Sequence, residues 1–339
     1  MSAPAPIRVG LIGYGVAGRV FHAPLLAADP AFDLTAVVTS QTARLHAAHP
    51  DATAVADVDT LLAHPGIDLV VVASPTPLHV SHATAAVEAE KATVVDKPFA
   101  PDAPSGRELI QRAEAAGVPF TVFQNRRWDG DFLTLRRLVD DGALGDVRPF
   151  ESRFEWWKPS PDSSWKSKTG SVDGGGILFD LGAHLIDQAL VLFGPARVGH
   201  ADVRNRRGGR ADDDVFVVLE HESGTTSHLW MSAIAPVTGE RFRVLGSRSG
   251  FFSSGLDPQE DRLAAGQHPG AERFGASDLP ALLGAGSDLA EVPLARGDYA
   301  DFYRRLAQSL TGDAPLPVDP RDSLAVLELI DTIHTLNRK

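Results

Sequence analysis

Residues 174 to 187 read GGGILFDLGAHLID, three glycines leading into an apolar segment that carries Asp180, His184 and Asp187. At 3.6 residues per turn the positions i, i+4 and i+7 form one column on a helix, so the three side chains can face a single pocket. An imidazole that titrates near neutral pH, set among carboxylates, can exchange a proton with a bound group. The plainer reading is an Asp–His pair that satisfies itself under a domain interface, and this stretch alone favours it. A cation stands elsewhere. VVDKPFA, residues 94 to 100, ends a strand pattern in Asp96, Lys97 and Pro98. A lysine at the carboxyl end of a parallel strand faces the crevice where such sheets bind ligands. The proline restricts Lys97 to extended dihedrals and so fixes where its ammonium starts from.

The elements that must position these groups begin with GYGVAG, residues 13 to 18, directly after a strand pattern and opening a helical one. In that context the GxGxxG spacing reads as a dinucleotide site. Gly13 permits the tight turn, Gly15 lets a pyrophosphate approach the backbone, and Gly18 lets helix and strand pack closely. Tyr14, Val16 and Ala17 complete the loop, whose amides at the helix N-terminus bind phosphate. An acid at the end of the second strand would hold a ribose 2′-hydroxyl and repel a 2′-phosphate. Residues 37 to 45 read VVTSQTARL instead. Thr39 and Ser40 offer hydroxyls and Arg44 a cation, which suits NADP; a solvated Arg44 with tolerance of NAD is the alternative.

Around that loop the first third alternates short β-branched runs with helical patterns. Residues 7–13, 34–39, 69–74, 92–98 and 120–123 read as buried strands, and 105–117 as an amphipathic helix closed by glycine. Such alternation implies an α/β fold with a doubly wound parallel sheet. Pro24 sits inside the first helical pattern, and a break is expected at Ala23. From residue 125 the texture changes. Residues 131–142 are helical, and 147–157, 214–222, 226–235 and 240–246 alternate in period two, with Ser223-Gly224 as a turn. A mainly antiparallel sheet with one covered face follows, in an α+β domain over 125–339 after a dinucleotide-binding domain over 1–124. Helical patterns at 298–310 and 321–336 close the chain, the last entered through Asp319-Pro320. Residues 255–297 read as loop-rich.

A net charge of -12 argues against nucleic-acid or anionic-membrane partners, which need a basic face. The one basic cluster, RNRRGGR at 204–210, meets DDD at 212–214 and reads as a solvated hairpin loop. Without cysteine there is no disulfide, thiolate nucleophile or sulfur-ligated metal. No signal-peptide pattern opens the chain and no apolar run approaches the ~18 residues of a membrane span, so a soluble cytoplasmic protein is expected. His79 and His82, at i and i+3, have no third ligand in sight, and no metal is expected.

The glycine loop, the Asp-Lys-Pro strand end and the string from Gly174 to Asp187 together resemble the glucose–fructose oxidoreductase/inositol dehydrogenase/MocA family over nearly the whole chain. The last motif matches without exception; at the second, Asp96 stands where the family has glutamate. GYGVAGRVFHAPLL (13–26), NRRWDGDFLTLRRL (125–138) and DLGAHLIDQALVLFG (180–194) are similar to its NADP-dependent scyllo-inositol dehydrogenases. The resemblance implies a Rossmann domain followed by a domain with a large open sheet, and hydride transfer between a nicotinamide and a ring carbon of a cyclic polyol or sugar. By motif, His184 is the acid/base, Lys97 holds the reacting oxygen, and Asp180 orients the pair or a neighbouring hydroxyl. Asp187 is expected on the substrate side, with an interdomain role as its rival. Ser74, Pro75, Thr76 and His79 would lie near the nicotinamide, with Asp96, Asn125, Arg126 and Arg127 beside the crevice. Trp165 and Lys166 would cover the cofactor. A homodimer or homotetramer is implied. Another sugar or ketone reductase, or a cofactor-sensing regulator without catalysis, are the other functions such a chain could have.

Overall fold

The computed structural model describes residues 5–160, 170, 174–312 and 314–337, and two sheets organise them. The first contains β1 (Ile7–Ile12), β2 (Phe32–Val38), β3 (Thr53–Val55), β4 (Leu69–Val72), β5 (Ala92–Asp96) and β6 (Phe120–Phe123). All pair in parallel, in the order β3-β2-β1-β4-β5-β6. Every residue of the central β4 is buried, as a strand under helices on both faces requires, and so is every residue of the edge strand β6. The strand order reverses between β1 and β4, which opens a crevice at their carboxyl ends, the Rossmann arrangement.

The second sheet contains β7 (Val147–Glu155), β8 (Ala196–Arg204), β9 (Asp214–His221), β10 (Thr226–Ser232), β11 (Phe242–Gly246), β12 (Gly250–Ser253), β13 (Ala281–Gly284) and β14 (Ala290–Val292). Its order is β14-β13-β12-β11-β7-β10-β9-β8, antiparallel throughout except where β7 meets β10. Strand β9 alternates strictly, with Val215, Val217 and Leu219 buried in the core shared with Leu185, Ile186 and Ala189 of the helix Ala183–Phe193. The other face carries Phe216, His228 and Trp230, with the Arg153 guanidinium 3.9 Å from the Trp230 ring centre. This sheet holds more strands than the sequence patterns suggest: β8 shows no clean alternation, and 255–297 contains the helix Gln259–Ala264 besides β13 and β14.

Both closing helices return to the first sheet. Phe302 and Tyr303 of the helix Ala300–Thr311 are fully buried against Phe123, and the Thr121 hydroxyl donates to the Val318 carbonyl at 2.7 Å. The helix Pro320–Asn337 is capped as expected, Asp319 accepting from the Arg321 amide at 2.9 Å. The expected break at Pro24 does not occur. Ala23 is helical (φ -61°, ψ -44°), and its amide donates to the Gly18 carbonyl, five residues back. A π turn over Ala17–His22 thus hands the chain to the α-helical Ala23–Ala27, and Pro24, which has no amide to donate, stands directly after the wider turn.

Candidate active site

The carboxyl edge of the first sheet and the glycine-entered helix of the second enclose a cleft of about 830 Å³. Lys97, at the end of β5, sends its ammonium across it: Nζ donates to the Asp180 backbone carbonyl at 2.6 Å and to its carboxylate at 3.2 Å. Both side chains are mostly buried but keep some exposure to the cleft. His184, 5% exposed, lines the same cleft one turn further along. The Lys97–Pro98 peptide is cis. A cation, a carboxylate and an imidazole drawn from both halves of the molecule therefore face one cavity, a set able to hold an oxygen, stabilise charge on it and exchange a proton.

The glycines account for the close fit. Gly174 has φ +78°, and an added Cβ would lie 3.1 Å from Thr76 Cγ2 of the first half. Gly176 has φ +97°, and its Cβ would meet the Asp212 carboxylate at 2.3 Å. That carboxylate accepts from the Leu178 amide at 2.8 Å and so starts the helix. Residues Leu178–Gly182 form a second π turn, ahead of the α-helical Ala183–Phe193. A π turn adds a residue to one turn, so a column counted on a 3.6 period does not continue across it. Asp187 is accordingly away from the cleft. It accepts two bonds from Arg127, at 2.8 Å and 2.6 Å, and a third Arg127 nitrogen reaches Asp322 at 3.0 Å. Of the two readings of Asp187 these contacts fit the structural one, and Arg127, expected beside the crevice, is tied between two carboxylates, while Asn125 and Arg126 line the cleft.

The fit of a dinucleotide rests on the glycine loop. Gly13 has φ +99° with the Ala73 carbonyl 2.7 Å from where a Cβ would be, and a Cβ on Gly18 would strike the Gly13 carbonyl at 2.0 Å. Gly15 differs: it is exposed, and a Cβ there would meet nothing within 4 Å. Neither strain nor packing in the protein asks for glycine at 15, while a ligand lying on the loop would. Tyr14, Val16 and Ala17 line the cleft beside it, as do Thr39 and Ser40. Gln41, absent from the sequence-based set, lines it too, donating to the Tyr14 carbonyl at 3.1 Å and accepting from Arg44 at 2.8 Å. Arg44 itself is exposed and stands outside the lining, one helical turn away.

Ser74, Pro75, Thr76 and Asp96 line the cleft floor. His79 also reaches it, but both its ring nitrogens are engaged by backbone carbonyls, Pro98 at 2.8 Å and Ser74 at 2.7 Å. Below lies His22, which the sequence reading passed over. It is fully buried, with Nδ1 2.7 Å from the Tyr303 hydroxyl and Nε2 3.9 Å from Asp96. Burial pulls its pKa down to about 4 against the opposing pull of Asp96, so the ring is neutral. The basic hairpin is not simply solvated. Arg207 is 16% exposed, donates to Asp213 at 3.0 Å and to the Lys158 carbonyl at 2.9 Å, and forms part of the cleft wall. Asp212 and Asp213 are likewise buried. Trp165 and Lys166 lie outside the described residues. No helix among the described residues is long and apolar enough to cross a membrane.

Parallel sheet, glycine loop and cleft make up a dinucleotide-binding fold, and comparison with known proteins gives its class, a nucleotide-dependent oxidoreductase. Residues 7–124 match the oxidoreductase family with NAD-binding Rossmann fold, and residues 132–251 match the GFO/IDH/MocA C-terminal domain. The chain belongs to the Gfo/Idh/MocA family of oxidoreductases. It is 35% identical to the scyllo-inositol 2-dehydrogenase (NADP(+)) IolW of Bacillus subtilis, covering 96% of this chain and 92% of that one. It is 28% identical to the inositol 2-dehydrogenase of Rhizobium meliloti over 77% and 79% of the two chains. Among solved structures the oxidoreductase yvaA of Bacillus subtilis superposes with a TM-score of 0.91 at 33% identity, covering 97% of this chain and 96% of that one.

Proposed function

We propose that this oxidoreductase is an NADP-dependent dehydrogenase of a cyclic polyol or sugar, of scyllo-inositol type, reducing a ring ketone to a secondary alcohol or running the reverse. The observation that carries the reading is the Lys97 ammonium 2.6 Å from the Asp180 carbonyl in a cleft that His184 shares. NADP use is supported by the hydroxyls of Thr39 and Ser40 at the end of β2, by the absence of an acid there, and by Arg44 held through Gln41 beside them. The relative named above as NADP-linked points the same way. Gly15, Val16 and Ala17 would hold the pyrophosphate, and Thr39, Ser40 and Gln41 the adenosine ribose. Bound there, the nicotinamide supplies the hydride.

This chain's residues do the rest. Lys97 donates a hydrogen bond to the substrate oxygen and stabilises the negative charge that grows on it. Asp180 keeps the ammonium in place and is open enough to take a neighbouring hydroxyl. His184 passes the proton to or from that oxygen. The aromatic outer face of the second sheet, with Phe216 and Trp230, suits pairing with a second copy, giving a dimer or tetramer. The test is a spectrophotometric panel of inositols and pyranoses with both cofactors. Turnover of an inositol with NADPH or NADP+ preferred is expected; a clear NADH preference overturns the cofactor assignment, and turnover confined to acyclic substrates overturns the polyol class.

A further inference from the structure

His79 opens the helix His79–Glu88 and is 2% exposed. Its Nδ1 lies 2.8 Å from the Pro98 carbonyl oxygen and its Nε2 2.7 Å from that of Ser74. Carbonyl oxygens accept and never donate, so each contact asks the ring for an N–H. A neutral imidazole has one N–H and would set a lone pair against a lone pair at the other contact. The two carbonyls belong to different loops of the cleft floor: Ser74 follows β4, and Pro98 follows β5 and Lys97. The charged and titratable groups that act on the ring are Asp96 from β5, Lys97 directly after it, His22 from the first π turn and His82 from its own helix. Burial, the largest influence, together with the Lys97 ammonium lowers the ring's pKa below its ordinary value, against the pull of Asp96 and the two carbonyls. Against that direction stands the hydrogen-bond count, because every geometry that keeps both contacts needs two donors. His22 makes the contrast: its Nδ1 faces a hydroxyl, which can donate to a neutral ring.

We propose that His79 is a positioning residue, held as an imidazolium that fastens the Ser74 loop to the Lys97–Pro98 turn and thereby sets where the Lys97 ammonium stands. Its consequence for turnover rests on the role of Lys97 proposed above, whereas its protonation state does not. Two measurements on the full-length protein test it. The first is nitrogen NMR of histidine-labelled protein, with His79 recognised by its contacts to Pro98. Two protonated ring nitrogens, unchanged from about pH 6 to about pH 8, are expected, where an ordinary histidine loses its second proton. A neutral His79 ring at pH 7 overturns the inference.

The second compares His79→Gln, whose amide brings two N–H donors, with His79→Leu, which brings none. A fall in kcat of roughly 10- to 100-fold is expected for the leucine variant, as for a slightly misplaced catalytic group. The glutamine variant should recover part of that loss, with NADPH affinity little changed in either. Full kcat in the leucine variant, or equal impairment of both, contradicts it. If the leucine variant does not fold, the NMR result decides. If no polyol is turned over by the wild type, the functional reading fails while the NMR result still judges this one.

Discussion

Arg127 donates to both oxygens of Asp187 and to Asp322, and its side chain is 11% exposed. A guanidinium so buried, deprived of one partner, keeps its desolvation cost without the compensating attraction. Asp187→Ala is therefore expected to destabilise the protein by about 3 kcal/mol or more, with Asp187→Asn costing less; an unchanged melting temperature in the alanine variant would show that the pair carries no such weight. At this scale Lys97, Asp180 and His184 were legible in the sequence because each sits in a motif whose spacing survives folding. Asp187 was misplaced because the count ran across a π turn that no pattern announces. His22 was invisible for a different reason: its partner Tyr303 is 281 positions away. Arg207 was misread because adjacent opposite charges look the same on paper whether water or a cleft wall surrounds them.

Two glycines of one loop do unlike work at the scale of elements. A Cβ on Gly18 would sit 2.0 Å from the Gly13 carbonyl, whereas one on Gly15 would touch nothing. Gly18→Ala should thus destabilise the fold by about 1–3 kcal/mol through overpacking. Gly15→Ala should leave the unfolding midpoint almost unmoved while weakening NADPH binding several-fold; chemical denaturation alongside cofactor titration reads both, and equal stability losses would refute the distinction. Strands with continuous apolar runs, such as β1, β4 and β6, were plain in the sequence. Strands β3, β13 and β14, of three or four residues at or near sheet edges, were not, since so short a run completes too few periods to stand out from loop. The two π turns were missed together: each looks like α-helix in composition, and each lies at the cleft.

Across the whole molecule, buried titratable groups pull stability in opposite directions with pH. Burial, against the attraction of Arg126, raises Asp129 from 3.8 to about 7, and burial against Arg241 raises Asp131 to about 6. Groups raised in the folded state stabilise it below pH 3.8, and that contribution is lost as pH rises through about 7. His22 is lowered from 6.5 to about 4, so its contribution is present above 6.5 and lost as pH falls towards 4, a change of ~3 kcal/mol. Melting temperature followed against pH should change least with alkalinity in Asp129→Asn and least with acidity in His22→Phe, relative to the wild type. Parallel curves for all three proteins would count against these assignments.

In the proposed reaction the ammonium of Lys97, just beyond β5, and the imidazole from the glycine-entered helix act on one reacting oxygen. Single-turnover oxidation of bound NADPH by a ketone substrate, followed in Lys97→Ala and His184→Ala with NADPH affinity measured in parallel, tests it most directly. The rate of the hydride step is predicted to fall by roughly two to four orders of magnitude in each variant while NADPH binding stays close to that of the wild type. A wild-type rate in both variants would contradict the claim.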